Sequence, residues 1–376
     1  MSISAPVYAT RRSRFRVLLM ALVVASLFLL TGCSQNLSAP PQLGNGWTTM
    51  LVWAADQSNP QATKNATIQR AQSDIDQKQL STDFGGAQSL VEVYQFNNLQ
   101  LVVELRAVRA QAPGYFVPAV ESDAARLSVP MPPHEVQSFG PVSCDVVHTS
   151  IRDTSEIAEN TYVECMRTSK NLTVWIGPMT SLPKTIVDLV NDAWKNLGGN
   201  SEQPIPWPAS TRADTPIVLP ESIGSDYRPT AKILLPASAA ERFARYATTD
   251  TAALQKLFNA PAASAGYITD AYDNSFQIYA VRTDSPSPYV QYFDLKRLGE
   301  IAPINEKITI GKVECLVHNN AVQTGGDPAT LMPAVQWCER SDKSTTVRIL
   351  EVTGDLQFDP NSVAQMVDTI WGTVAS

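Results

Sequence analysis

The feature that most restricts this fold is an internal repeat marked by cysteines. Cys144 and Cys165 stand 21 residues apart, and Cys315 and Cys338 stand 23 apart. The segment from Cys165 to Ile176 lies over that from Cys338 to Ile349 with six of twelve positions identical. A valine precedes each first cysteine by two residues (Val142, Val313), and a helical pattern ending in tryptophan follows each second one. Thr185 to Trp194 lies over Ser362 to Trp371, and the offset between copies drifts only from 171 to 177 residues. Several matches in one order indicate two tandem copies of one domain.

The chain has 376 residues, enough for about two domains at roughly 100–200 residues each. Residues 199–222 carry five prolines and no periodic pattern, and read as a semi-rigid linker. The copies then span 45–198 and 223–376. Hydrophobic residues make up 44% of the chain, which supplies material for a core in each copy.

Within each copy the pattern is α+β. Ser89 to Phe96 and Gln100 to Val108 predict a hairpin, as do Tyr267 to Tyr272 and Ser275 to Arg282. Residues 289–295 predict a further strand, as do the cysteine segments, Leu172 to Ile176 and Thr345 to Leu350. Helices are expected over Ala66 to Leu80, Ala239 to Tyr246 and Thr251 to Phe258. The clearest helices close each copy. Ile186, Val190, Trp194 and Leu197 form one apolar stripe, and Val363, Val367, Ile370, Trp371 and Val374 form the other. Asp359 and Pro360 supply a helix cap and first turn. An antiparallel sheet covered by helices, twice, is the expected architecture.

The N-terminus reads as an export signal over residues 1–32. Arg11, Arg12, Arg14 and Arg16 form a basic region, and Val17 to Leu30 is an apolar run too short to span a bilayer. Leu30-Thr31-Gly32-Cys33 follows, and it resembles the lipobox of bacterial lipoproteins. The resemblance implies cleavage before Cys33 and lipid modification of that residue. It also implies a location on the extracytoplasmic face of the cell membrane, with attachment through the lipid. Arg11-Arg12 hints at a twin-arginine signal, but Arg14 stands where such signals prefer an apolar residue, so the general secretion route is expected. Residues 33–44 then form a tether. Cleavage removes four arginines and no acid, taking the formal charge from −7 to −11. This acidity, with a pI of about 5.1, argues against nucleic acid as a partner.

With Cys33 assigned to lipid, four cysteines remain in an exported chain, a setting that favours disulfides. The repeat selects Cys144–Cys165 and Cys315–Cys338, one per copy. Neither pair has the Cys-x-x-Cys spacing of a redox motif. His148 and His318 follow the first cysteine of each copy at unequal spacing, and read as ordinary strand or loop residues rather than metal ligands.

No nucleophile elbow, zinc-protease helix, phosphate loop or dinucleotide fingerprint is present. Residues 325–328 read as a turn. Asp74/Asp76 and Glu156/Glu159 read as solvated carboxylates. Trp47, Trp53, Tyr279, Tyr289, Tyr292 and Phe293 read first as core, with a solvent-side aromatic strip as the alternative. No catalytic residue, cofactor or metal is expected. The general style resembles cell-envelope lipoproteins of Gram-positive actinobacteria. These readings point to a non-enzymatic, lipid-anchored binding or interaction protein of the envelope. Its partner would be an envelope or membrane protein, or a small molecule that the sequence leaves unspecified. An accessory subunit of a transporter or respiratory assembly is the alternative, and a cell-wall hydrolase a more distant one.

Overall fold

The computed structural model describes residues 37–375, except 58, 97–100, 130, 149–160, 201–206, 209–214, 234–235, 285–304 and 323–329. The export signal, Cys33, the strand expected at 289–295, the turn at 325–328, and Glu156/Glu159, Tyr289, Tyr292 and Phe293 lie outside the described residues.

The first copy begins with β1 (Gln42–Leu43), β2 (Trp47–Thr49), α1 (Met50–Asp56) and α2 (Pro60–Asp83). The hairpin β3 (Ser89–Phe96) and β4 (Val102–Val108) follows, then the short helices α3 (Ala119–Ser122) and α4 (Ala124–Leu127). Strands β5 (His134–Phe139), β6 (Val142–His148), β7 (Thr161–Thr168) and β8 (Thr173–Thr180) lead to α5 (Pro183–Asn196). The second copy holds β9 (Tyr227–Pro229), α6 (Thr230–Ile233), α7 (Ala237–Phe258), β10 (Ala262–Thr269) and β11 (Ser275–Val281). It ends with β12 (Asn305–Ile310), β13 (Val313–Val322), β14 (Thr330–Ser341), β15 (Thr346–Leu350) and α8 (Pro360–Val374).

Each copy has its own antiparallel sheet. The strand orders are β1-β2-β3-β4-β8-β7-β6-β5 and β12-β13-β14-β15-β11-β10-β9. With β1 set aside, the second is the first read backwards, so the two sheets share one topology and the fold is α+β twice over.

The duplication persists in individual contacts. Cys144 and Cys165 lie directly opposite across β6 and β7 and form a disulfide, and Cys315 and Cys338 do the same across β13 and β14. Arg167 stacks over Trp194 at 4.6 Å, and Arg340 over Trp371 at 4.6 Å. The Tyr94 hydroxyl donates to the Pro40 carbonyl at 2.6 Å, and Tyr267 to that of Pro220 at 2.5 Å.

Those tyrosine bonds move the copy boundaries earlier than proline content suggests. Leu43 is fully buried in β1, and Gly44 turns the chain with a φ of +48°, a conformation that favours glycine. In the second copy Ile223 and Gly224 (φ +62°) repeat this turn, while Ile217 and Leu219 pack on the core. The last residues of the expected tether and linker are therefore folded. Their prolines supply carbonyl acceptors and restrict φ, which suits an entry strand as well as it suits a spacer.

Each sheet buries both faces. In the second copy Ile278, Cys315, Cys338, Val347 and Ile349 pack beneath Val363, Val367, Ile370 and Trp371 of α8. Asp359 caps this helix by accepting from Ser362 N at 3.1 Å, with Pro360 in the first turn. In the first copy α5 occupies the same place, and Cys165 Sγ lies 4.0 Å from the Pro183 carbonyl. The opposite faces carry the longer helices. Asn59 caps α2 through Gln61 N at 2.9 Å, and α2 packs along β3 with Leu80 against Val91 and Trp175. Helix α7 runs unbroken through the gap between the two shorter helices expected there, with Tyr246, Asp250, Leu254 and Phe258 on one buried stripe. Asp74 is solvated beside Arg70 at 3.1 Å, but Asp76 is fully buried and accepts from Gln72 at 2.9 Å. The i,i+4 amide partner on α2 is what makes that burial tolerable.

Candidate functional site

A cavity of about 440 Å³ lies where the helix-α2 and helix-α7 faces of the two sheets approach each other. Arg106, Trp175, Tyr279 and Arg348 line it, and they belong to rows of residues running across neighbouring strands. In the first copy Arg106 on β4 pairs with Trp175 on β8, which pairs with Met166 on β7. In the second, Tyr279 on β11 pairs with Arg348 on β15, which pairs with Glu339 on β14. These are equivalent positions in the repeat. The arginine and the aromatic ring have exchanged places between copies, and each arginine keeps an acidic partner. Arg106 pairs with Glu164 and lies 3.3 Å from Glu104, while Arg348 reaches Glu339 Oε2 at 2.6 Å.

The β4–α3 segment closes one side. The Tyr115 hydroxyl donates to Glu164 Oε1 at 2.9 Å, and Phe116 meets the Tyr279 ring edge-on at 4.9 Å. Leu254, Leu257 and Phe258 from the end of α7 add apolar wall. Burial holds the hydroxyls of Tyr115 and Tyr279 far above their ordinary pKa, so both stay protonated.

One rim is charged. His134 on β5 places Nδ1 2.6 Å from Glu121 Oε2 and Nε2 2.6 Å from Asp145 Oδ1. Burial works against its charge, but the bonds to Asp145 and Glu121 outweigh it and raise its pKa to about 9. His134 is thus a fixed cation at neutral pH with both ring nitrogens engaged, a poor general base. Next to it Asp250 Oδ1 accepts from Ala119 N at 2.8 Å, joining the copies. Burial raises Asp250 to about 6, and burial together with Glu121 and Asp250 raises Glu351 to about 7.

His148 and His318 sit elsewhere, His148 3.1 Å from Glu135 and His318 2.9 Å from Asn305. Their neighbouring cysteines are committed to disulfides and cannot ligate a metal. Among the described residues no group of three or more His, Cys, Asp or Glu is arranged to hold a metal ion. No described helix is long and apolar enough to cross a membrane.

Sequence reasoning reached Tyr279 as a core aromatic, with a solvent-side strip as the alternative, and it passed over Arg106, Glu121, His134, Glu164 and Arg348. The available signal was the mismatch inside the repeat. Val174-Trp175-Ile176 lies over Val347-Arg348-Ile349, identical on both flanks and different only where the side chain meets the cavity.

No family model matches the chain, and no curated protein matches it. Among solved structures, the crystal structure of MucB in complex with MucA(peri) aligns with 74% of this chain and 81% of that one. The identity is 11% and the TM-score 0.11, a likeness too slight to carry an argument about fold or function.

Proposed function

We propose that the chain is a non-enzymatic binding protein that takes a small amphipathic ligand between its two copies. It would be held on the extracytoplasmic face of the membrane by a lipid on Cys33. The observation that carries this reading is the cavity at the positions where the copies diverge. Its volume falls in the range of small-molecule sites, about 300–1,000 Å³, and its walls are mainly apolar with a few placed polar groups. Duplication gives two sheets of one topology, each with a disulfide and a closing helix. At the cavity wall the copies differ, with Trp175 standing where Arg348 stands, as expected where the pair rather than the single copy makes the site. Clamping of His134 between two carboxylates favours binding over acid–base chemistry.

Mass spectrometry of organic extracts tests the reading, using protein purified from its own envelope. The expected result is a co-purifying small molecule in near-stoichiometric amount, lost when Leu257→Trp fills the cavity. An empty cavity combined with a stoichiometric protein partner after mild detergent extraction would replace this reading with the subunit one. Metabolic labelling with a fatty-acid analogue tests the anchor separately. Label retained on the Cys33→Ala protein would overturn it.

A further inference from the structure

The charged groups on the cavity wall are already matched. Arg106 has Glu104 and Glu164, Arg348 has Glu339, and His134 has Glu121 and Asp145. In the first copy the polar groups also bond one another. Glu164 engages Arg106 through Oε2 and the Tyr115 hydroxyl through Oε1, and both ring nitrogens of His134 are held. A cationic ligand would meet Arg106, His134 and Arg348 on the lining. An anionic one would crowd the acids that these cations already hold. A buried charge without its own partner is costly, so the wall favours an uncharged ligand.

Donor capacity is left over in the second copy. Tyr279 is 6% exposed and lines the cavity, yet its buried hydroxyl has no hydrogen-bond partner. Buried polar groups are nearly always satisfied, and an orphan on a cavity wall marks where a ligand atom belongs. Arg348 stands directly opposite Tyr279 across β15 and β11, so the two side chains are neighbours on one face of the sheet. Its Nε and Nη2 both donate to Glu339 Oε2, at 2.8 and 2.6 Å, which occupies the side edge of the guanidinium. Nη1 has no hydrogen-bond partner among the described residues. Two neighbouring donors therefore stand on the wall of a cavity whose remaining lining is largely aromatic and aliphatic.

We infer that the cavity ligand is an uncharged ester, its carbonyl oxygen accepting from the Tyr279 hydroxyl and Arg348 Nη1 and its hydrocarbon lying against Phe116, Leu257 and Phe258. The inference rests on the cavity reading above and narrows it to one ligand class. An ester brings acceptors and apolar surface, and neither a charge nor a donor for the paired carboxylates to accommodate. The exchange of arginine and ring between the copies serves the same end. It sets the Tyr279 hydroxyl where the first copy has Arg106, and so gives the second-copy wall a donor without a charge.

Four probes of similar shape separate the possibilities: methyl phenylbutyrate, pentylbenzene, phenylbutyrate and phenylbutylamine, titrated calorimetrically into the full-length chain. The ester should bind about fivefold more tightly than pentylbenzene, the yield of one neutral hydrogen bond, and more tightly than either ion. Tyr279→Phe keeps the ring and removes a hydroxyl that no residue bonds. It should bring ester and pentylbenzene to within about twofold of each other while leaving pentylbenzene affinity unchanged. If that variant loses both probes, the infrared carbonyl band of the ester bound to the unaltered chain decides. A shift to lower wavenumber is expected from hydrogen bonding, and an unshifted band overturns the inference. An ion that binds as well as the ester, equal binding of ester and pentylbenzene, or an ester preference that survives Tyr279→Phe also overturns it, while the cavity reading stands. Failure of all four probes, pentylbenzene included, overturns the cavity reading itself.

Discussion

Lys307 Nζ lies 2.8 Å from Asp83 Oδ1, a buried ion pair that ties β12 of the second copy to the end of α2 in the first. The side chains are 7% and 3% exposed, and Glu314 at 3.2 Å supplies a second acceptor. Burial raises the Asp83 pKa even against the pull of Lys307. Removing one partner of such a pair strands the other charge. Lys307→Ala is therefore expected to cost about 3–5 kcal/mol in urea unfolding. The pair replacement Lys307→Met/Asp83→Leu should recover most of that loss. If the single variant is neutral, the pair does not hold the copies together.

The two disulfides occupy directly opposed positions, and each closes a loop of just over twenty residues. Chain entropy then assigns each about 3 kcal/mol. Non-reducing peptide mapping should join Cys144 to Cys165 and Cys315 to Cys338. Replacing either pair by alanine should lower stability by a similar amount, because the copies place them at matching sites. A Cys144–Cys315 crosslink would contradict this arrangement.

What the sequence made legible was what the copies share. The cysteine pairs, the closing helices and the tryptophans recur because each copy must bury the same sheet face, and physical constraint made them similar. The cavity was illegible for the opposite reason. Arg106 and Tyr279, or Trp175 and Arg348, occupy equivalent positions but differ, so a search for similarity passes over them. Asp250 meets Ala119 from 131 residues away, and no local spacing records that. Asp76 misled because its carboxylate looks solvated until its place on α2 is known.

The charged rim gives the chain a defined pH response. His134 is raised in the folded state to about 9 from an unfolded value near 6.5. Its contribution is complete below about pH 6.5 and is lost as pH rises through about 9. Asp250 and Glu351 are raised to about 6 and about 7, so the folded state also favours their protonated forms. Their contribution is present below about pH 4 and lost through those values. Both effects have one sign, and stability should fall from mildly acidic to alkaline pH. Chemical unfolding between pH 5 and 9 measures it. Glu351→Gln should flatten the lower part of that window, and His134→Gln the upper part. A stability maximum near pH 8 in the unaltered chain would contradict the assignment.

The last prediction concerns where the second copy begins. A fragment from Ser222 retains the sheet and α8 but loses Ile217 and Leu219 from the core edge. It also loses the Pro220 carbonyl that accepts from Tyr267, a side chain only 1% exposed. A fragment from Thr215 keeps these, together with the Thr215 and Pro216 carbonyls that receive Arg282. A buried hydroxyl without its acceptor costs about 1–3 kcal/mol, and the lost apolar contacts add to this. The 215–376 fragment should therefore melt cooperatively several degrees above the 222–376 fragment. Both expose Tyr279, Val281, Leu254 and Phe258, which the intact chain covers in part with Phe116 and Trp207. Each fragment should accordingly bind a hydrophobic dye more strongly than the full chain does. Equal melting of the two fragments would show that residues 215–221 lie on the core without stabilising it, and would return the boundary to Ser222.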